Sequence, residues 1–373
     1  MTVGCHIAID AVGAKHSGAA TVLQAVVGAA LENQAVGRLT VFCSSAARRA
    51  FSLPDDEKLV VVDVPLGERG IAGRACWQHV SLRAATRAAK AQVLLCLSGG
   101  GLGPKHIPTI QLIQQSLPFS REALATLGVR DYLRARTLGW NMRVSAVRSA
   151  GVAVQTETMK QRVVDRFGLD SSRVRVFEPA AKLQGGSAGA PQLAGMRNTK
   201  DNARFLYVGN ISPYKNLAVL QRAMERLGQR QIDARLFATI DRTHALARLE
   251  NVEPLGLLPL DVLGEAYRLA AALVMPSLVE TVGLPMIEAM AAGTPVVAAD
   301  RPYAREVCQD AALYFDPHDH EQLAERLEAI DADRSIRQRL SEAARDVTVN
   351  RSLKRGDEAL VSWLVAFAGR GSQ

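Results

Sequence analysis

A chain of 373 residues, 48% hydrophobic but only 5% aromatic, is long enough for two domains with aliphatic cores. No apolar run approaches the ~20 residues that span a bilayer as a helix. The five cysteines are odd in number, scattered and without metal-ligand spacing, so reduced thiols in a cytosolic protein are expected, with no disulfide and no zinc site. The net charge of +8 is unevenly placed: residues 1–180 carry 22 Lys and Arg against 13 Asp and Glu, and residues 181–373 carry 23 against 24. The basic excess of the first half suits an anionic partner, whether a membrane surface, a lipid phosphate or a nucleic acid, or simply a solubilising surface.

The opening MTVGCHIAID reads as a strand, since a signal peptide would need a basic region followed by an apolar core. Strands are predicted at 3–10, 39–43, 59–63, 92–97, 109–113, 151–155 and 174–177, with helices at 17–34, 73–90, 130–147 and 158–167 between them. Such alternation specifies a parallel sheet covered on both faces. KLQGGSAGAPQLAGMRNTKDN, residues 182–202, lacks periodicity and reads as a linker or mobile loop. Alternation then restarts, with strands at 204–208, 234–238, 252–255, 273–275, 296–298 and 312–315 and helices at 217–227, 261–271 and 320–330. Two helical stretches, 334–347 and 356–368, finish the chain. The expected organisation is a first Rossmann-like domain over 1–180, a linker over 181–203 and a second domain over 204–350. A terminal helix within 351–373 is expected to pack back on the first domain. Ligands of doubly wound sheets bind beyond the carboxyl ends of the strands, so two facing domains imply one cleft.

PSLVETVGLPMIEAMAAGTPVVAAD, residues 276–300, holds Glu280 and Glu288 in otherwise apolar surroundings. In one continuous helix they would lie roughly 80° and 12 Å apart and could not pair. Pro285, tolerated only in a first helical turn, instead divides the stretch into a strand end, a loop over 277–282 and a helix over 284–292. The free N–H groups of that helix start form an anion site flanked by two carboxylates. Phosphate beside hydroxyl-binding carboxylates points to a nucleotide sugar; two surface charges near a helix start are the plainer alternative. FLYVGNISPYKNL, residues 205–217, ends a buried strand and leads to Lys215 at the same edge, where an ammonium could neutralise a departing diphosphate.

Together the two segments resemble glycosyltransferase family 4: the first fits its E-x7-E signature and VGNISPYKN its lysine loop. The close resemblance covers residues 203–316, and the first half matches only in layout. It implies a GT-B fold, a nucleotide-sugar donor, retention at the anomeric carbon, and no metal or other cofactor. By that resemblance Glu288 binds the nucleotide ribose, Glu280 the donor-sugar hydroxyls and Lys215 the diphosphate, with backbone groups of Gly283 and Leu284 completing the site. Lys215 and Glu280 are the catalytic candidates. Asn210, also a donor-side candidate, stands where many relatives carry a second diphosphate-binding arginine, leaving more charge to Lys215 or to a nearby arginine such as Arg242. Val282 stands where phenylalanine is common.

The acceptor side offers fewer motifs. DAVGAKHSGAATVL, residues 10–23, resembles the family's first glycine-rich loop, with Gly18 as a candidate; LSGGGLGPKH, residues 97–106, is a second glycine-rich turn. QQSLPFSREAL, residues 114–124, stands where relatives place a histidine near the acceptor and has none. His16, His106 and Glu122 are the acceptor-side candidates, each with a structural alternative. RDYLRARTLGWNMRVSAVR, residues 130–148, interleaves five arginines with Tyr132, Leu133, Trp140 and Val144, as a helix on anionic lipid or one packed on the sheet would do. The acidic positions around Asp331 and Asp333 do not make a metal site. The chain is therefore expected to be a cytoplasmic retaining hexosyltransferase acting in bacterial surface polysaccharide or lipopolysaccharide synthesis. Its partners would be a glycan or lipid-linked acceptor and, peripherally, anionic membrane, but no nucleic acid. A nucleotide-sugar epimerase and an inactive sugar-nucleotide-binding protein are the alternatives.

Overall fold

The computed structural model describes residues 4–14, 17–50, 53–97, 99–180 and 189–370. The chain forms two compact units: 1–119, 133–179 and 354–373 make the first, and 120–132 with 180–353 the second.

The first unit is built on β1 (Cys5–Asp10), β2 (Val36–Cys43), β3 (Leu59–Asp63), β4 (Val93–Cys96), β5 (Thr109–Leu112), β6 (Gly151–Val154) and β7 (Val174–Val176). They pair in the order β3-β2-β1-β4-β5-β6-β7, all parallel. Alternate residues of β1 and β4 serve opposite faces. Ile7, Ile9, Val93 and Leu95 join one apolar cluster, and Ala8, Leu94 and Cys96 another. That two-sided burial is why these strands read as near-continuous apolar runs. The C-terminal helix Gly356–Arg370 belongs to this unit and places Leu360, Val361, Leu364 and Ala368 in the same cluster as Ile7 and Ile9.

The second unit contains β8 (Arg204–Tyr207), β9 (Arg235–Ala238), β10 (Val252–Pro254), β11 (Ala272–Met275), β12 (Val296–Ala299) and β13 (Ala312–Phe315). Their order is β10-β9-β8-β11-β12-β13, again parallel. In both sheets the connections reverse direction on either side of the first strand, and that reversal opens a crevice at the carboxyl ends of β8 and β11.

Two expectations change. The stretch predicted as a linker is partly structured: Pro191–Leu193, Ala194–Asn198 and Asp201–Ala203 form short helical turns in the second unit. Leu193 and Met196, lost among glycines and alanines in the sequence, are fully buried there. The helix predicted at 73–90 is Gly70–Cys76, a π-helical turn Trp77–Ser81 and then Leu82–Ala88. The wider turn directs Trp77 inward, where its indole Nε1 donates to Asp10 at 3.0 Å.

Candidate functional site

After β8 the chain turns at the crevice. Gly209 N donates to Thr239 Oγ1 at 3.0 Å, joining this exit to that of β9. Pro213–Lys215 then makes a single 3-10 turn before the helix Leu217–Gln229. Asn216 ends the turn with φ +57, a left-handed conformation that asparagine adopts more readily than most residues. Its side-chain Nδ2 donates to Pro276 O at 3.2 Å and Pro317 O at 2.7 Å, pinning the turn to the chain beyond β11 and β13. Lys215 is thereby held only 9% exposed, and its Nζ lies 2.5 Å from Glu280 Oε1.

The loop after β11 supplies the other side. Leu278 N donates to Tyr214 O at 2.9 Å, and the phenol of Tyr303 donates to Ser277 O at 2.7 Å. Ser277 is fully buried, and its Oγ has no partner among the described residues. Gly283 adopts φ +76, a conformation that residues with a side chain rarely adopt, so glycine suits this turn. Pro285 occupies the first turn of the helix Leu284–Ala291 that follows. The backbone N–H groups of Gly283 and Leu284 precede any intrahelical acceptor and carry the positive end of the helix dipole. Glu288, further along this helix, accepts from Tyr267 Oη at 2.7 Å. Burial holds the Glu288 carboxyl above its ordinary range, against the opposing pull of the Tyr267 bond. Tyr267 is itself fully buried, and burial together with Glu288 pushes its phenol well up.

Lys215, Glu280, Gly283, Leu284 and Glu288 thus gather at one edge of the second sheet: a cation, two carboxylates and a helix start. Such a set can hold a phosphate between hydroxyl-bearing groups. Asn210 lies on the same exit but is engaged within its own turn, its Oδ1 accepting from Ser212 N at 3.1 Å and its carbonyl from Tyr207 Oη at 2.7 Å. Arg242, exposed after β9, lines an open cavity of about 590 Å³ with Gln192, Glu253 and Leu255.

The acceptor-side candidates fare differently. His16 lies outside the described residues, and Gly18 sits in the first turn of the helix Ser17–Glu32. His106 is exposed on the segment that enters β5, at the amino end of the strand. The connection from β4 must run back along the sheet to start a parallel strand, so this histidine is carried away from the carboxyl ends. Glu122 belongs to the second unit, where its Oε1 accepts from Arg301 and lies 2.8 Å from His318 Nε2. Its carboxylate is thereby engaged with the chain that follows β12 and β13.

Residues that the motifs did not indicate also shape these edges. Tyr267, Tyr303 and Asn216 orient the site but read as core or turn residues in the sequence. In the first unit Asp10, Cys96 and Gln111 stand in register across β1, β4 and β5, each fully buried. Burial raises the Asp10 pKa to about 6 although Trp77 Nε1 and Val12 N donate to it. In the sequence the aspartate stands where a predicted strand meets the glycine-rich loop.

Residues 195–347 match the model of the family described as "Glycosyl transferases group 1". A D-inositol 3-phosphate glycosyltransferase of Kribbella flavida is 30% identical over 234 residues, 56% of this chain and 54% of that protein. The chain spans about half the length of the curated relatives it matches. Among solved structures, WaaG, a glycosyltransferase involved in lipopolysaccharide biosynthesis, superposes with a TM-score of 0.73 at 16% identity, covering 96% of this chain and 99% of that one. Anabaena Alr3699/HepE, solved with UDP and glucose, gives 0.67 at 16% identity over 97% and 98%. The fold is therefore GT-B, built from two doubly wound Rossmann-like units.

Proposed function

We infer that the chain is a retaining glycosyltransferase that moves a sugar from a nucleotide-sugar donor to a glycan or lipid-linked acceptor, as in surface polysaccharide or lipopolysaccharide synthesis. The observation that carries the reading is the convergence of Lys215, Glu280, Glu288 and the Gly283–Leu284 helix start at the carboxyl ends of β8 and β11. The match of residues 195–347 to the glycosyl transferases group 1 model supports it, since both segments fall inside that range.

In this reading Glu288, held by Tyr267, accepts from the ribose hydroxyls. Lys215 and the two free N–H groups take the diphosphate, and no metal is required. Glu280, paired with Lys215 in this structure, would meet the donor-sugar hydroxyls as the diphosphate claims the ammonium. The bond from the anomeric carbon to the phosphate oxygen breaks as the acceptor hydroxyl oxygen bonds to the same face of that carbon. The acceptor proton passes to the departing phosphate. Charge on the leaving diphosphate grows toward the transition state, so a fixed cation there favours the transition state over the ground state.

Peripheral contact with anionic membrane is part of the same reading. Along the helix Val129–Arg148, Val129, Leu133, Trp140 and Val147 are exposed beside the exposed Arg136 and Arg143. Trp140, 65% exposed, is suited to a headgroup layer and the arginines to anionic lipid.

Titrating UDP, GDP and ADP into wild type and Glu288→Ala tests the site. A charge-assisted hydrogen bond is worth roughly 1.5–3 kcal/mol, so the variant should bind its nucleotide about 10–150-fold more weakly. Equal affinity would put Glu288 outside the site.

A further inference from the structure

We propose that Glu122 is a positioning residue for the diphosphate site, clasping the short helix Arg121–Ala125 onto the turn that carries Lys215. The inference rests on the Lys215 reading given above.

The segment 120–132 belongs to the second unit although the chain on either side of it belongs to the first. Its helix is capped by Ser120, whose Oγ accepts from Ala123 N at 3.2 Å, and packs against Pro213–Lys215. Five residues are far too few to hold a helix by backbone bonding, so its place depends on side-chain anchors. Glu122 is such an anchor. One carboxylate oxygen serves two side chains, accepting from the guanidinium of Arg301 and facing His318 Nε2 at 2.8 Å. Arg301 follows β12 and His318 follows β13, so the clasp reaches the exits of two strands.

The far end of the clasp leads back to the site. Arg301 immediately precedes the helix Pro302–Cys308, where Tyr303 donates to Ser277 O at 2.7 Å. Ser277 opens the loop that carries Glu280, and the next residue, Leu278, donates from its N–H to Tyr214 O at 2.9 Å. Arg121–Ala125, the Lys215 turn, the Glu280 loop and the start of Pro302–Cys308 therefore form a closed ring of contacts. Glu122 closes it. An exposed ion pair ordinarily contributes little. Here Arg301 is only 23% and Glu122 38% exposed, and the pair holds the helix that packs against the Lys215 turn. Lys215 meets the diphosphate as a point charge on a flexible stem, so its contribution depends on how firmly its turn is backed.

The test compares UDP, GDP and ADP with uridine, guanosine and adenosine on wild type, Glu122→Ala, Glu122→Gln and Lys215→Ala. Because only the diphosphate meets Lys215, Glu122→Ala should lose about 3–30-fold in nucleoside diphosphate affinity, a weakened rather than deleted charge-assisted contact, and keep its nucleoside affinity. Glu122→Gln, which retains an acceptor oxygen without the charge, should fall between, and it carries the same test should the alanine variant fail to fold. Adding Lys215→Ala to Glu122→Ala should cost less than in wild type. Unchanged diphosphate affinity in Glu122→Ala, or an equal loss for nucleoside, overturns the proposal. If Lys215→Ala itself binds diphosphate as wild type does, the diphosphate reading falls and this inference with it. If Lys215→Ala loses affinity and Glu122→Ala does not, only the clasp falls.

Discussion

Replacing Tyr267 by phenylalanine removes one hydroxyl and isolates the device that orients Glu288. The phenol donates to Glu288 Oε2 at 2.7 Å from a fully buried position, and it opposes the burial that raises the carboxyl's pKa. Two pH-dependent consequences follow. Where Glu288 is ionised, the lost bond is charge-assisted and should cost about 1.5–3 kcal/mol of stability; where it is protonated, the bond is neutral and worth about 1 kcal/mol. Denaturant unfolding of both proteins across pH should therefore show a gap that narrows on acidification. Nucleoside diphosphate affinity should respond in the same direction. A raised pKa means that Glu288 takes up a proton at higher pH than an ordinary carboxyl, and the ribose loses its charged acceptor as pH falls through that value. Without the phenol the pKa rises further, so the acid limb of nucleotide binding should move to higher pH in Tyr267→Phe and be absent in Glu288→Gln. A constant stability gap, or an acid limb at the same pH in wild type and Tyr267→Phe, would refute the account of Glu288.

Asp10, with a pKa near 3.8 in the unfolded chain and about 6 in the fold, costs about 3 kcal/mol at neutral pH, incurred as pH rises between those values. Asp10→Asn, whose Oδ1 can still accept from Trp77, should therefore be more stable than wild type at pH 8 and not at pH 4, and a pH-independent difference in urea unfolding would contradict this. Sugar transfer should persist in EDTA, because Lys215 and backbone N–H groups meet the diphosphate charge; loss restored by Mg²⁺ or Mn²⁺ would place the reaction elsewhere. Wild type should co-sediment with anionic liposomes at low salt and detach at high salt, each surface arginine contributing about 1 kcal/mol, and Trp140→Ala or Arg136→Glu should weaken it. No sedimentation at low salt would point to a soluble acceptor.

The strands among the described residues were legible because most are short apolar runs between turn residues, and parallel sheets bury both faces of their inner strands. The 277–288 loop and helix were legible because Gly283 and Pro285 each permit few conformations. The chemistry of the site was legible in residue type, but its support was not. Tyr267 and Tyr303 sit on helices as ordinary core aromatics, and only the fold shows their hydroxyls meeting Glu288 and Ser277 O. The local bond from Ser212 N to Asn210 Oδ1 was not legible, since only the fold shows the turn that makes it. Sequence order did not reveal which unit the short helix of Glu122 joins, or that the segment of His106 returns to the amino end of β5. The π-helical turn at Trp77–Ser81 left no periodic signature because it is a single turn within a longer helix.

The central claim is that Lys215, Glu280 and Glu288 act on a nucleotide sugar. Its most direct measurement is release of nucleoside diphosphate from a panel of UDP-, GDP- and ADP-sugars by wild type and Lys215→Ala. The account predicts turnover of at least one donor by wild type, slowed about 10²–10³-fold in the variant, as for loss of one preorganised electrostatic group. Turnover unaffected by Lys215→Ala, or no release from any donor together with no binding of any nucleoside diphosphate, would contradict it.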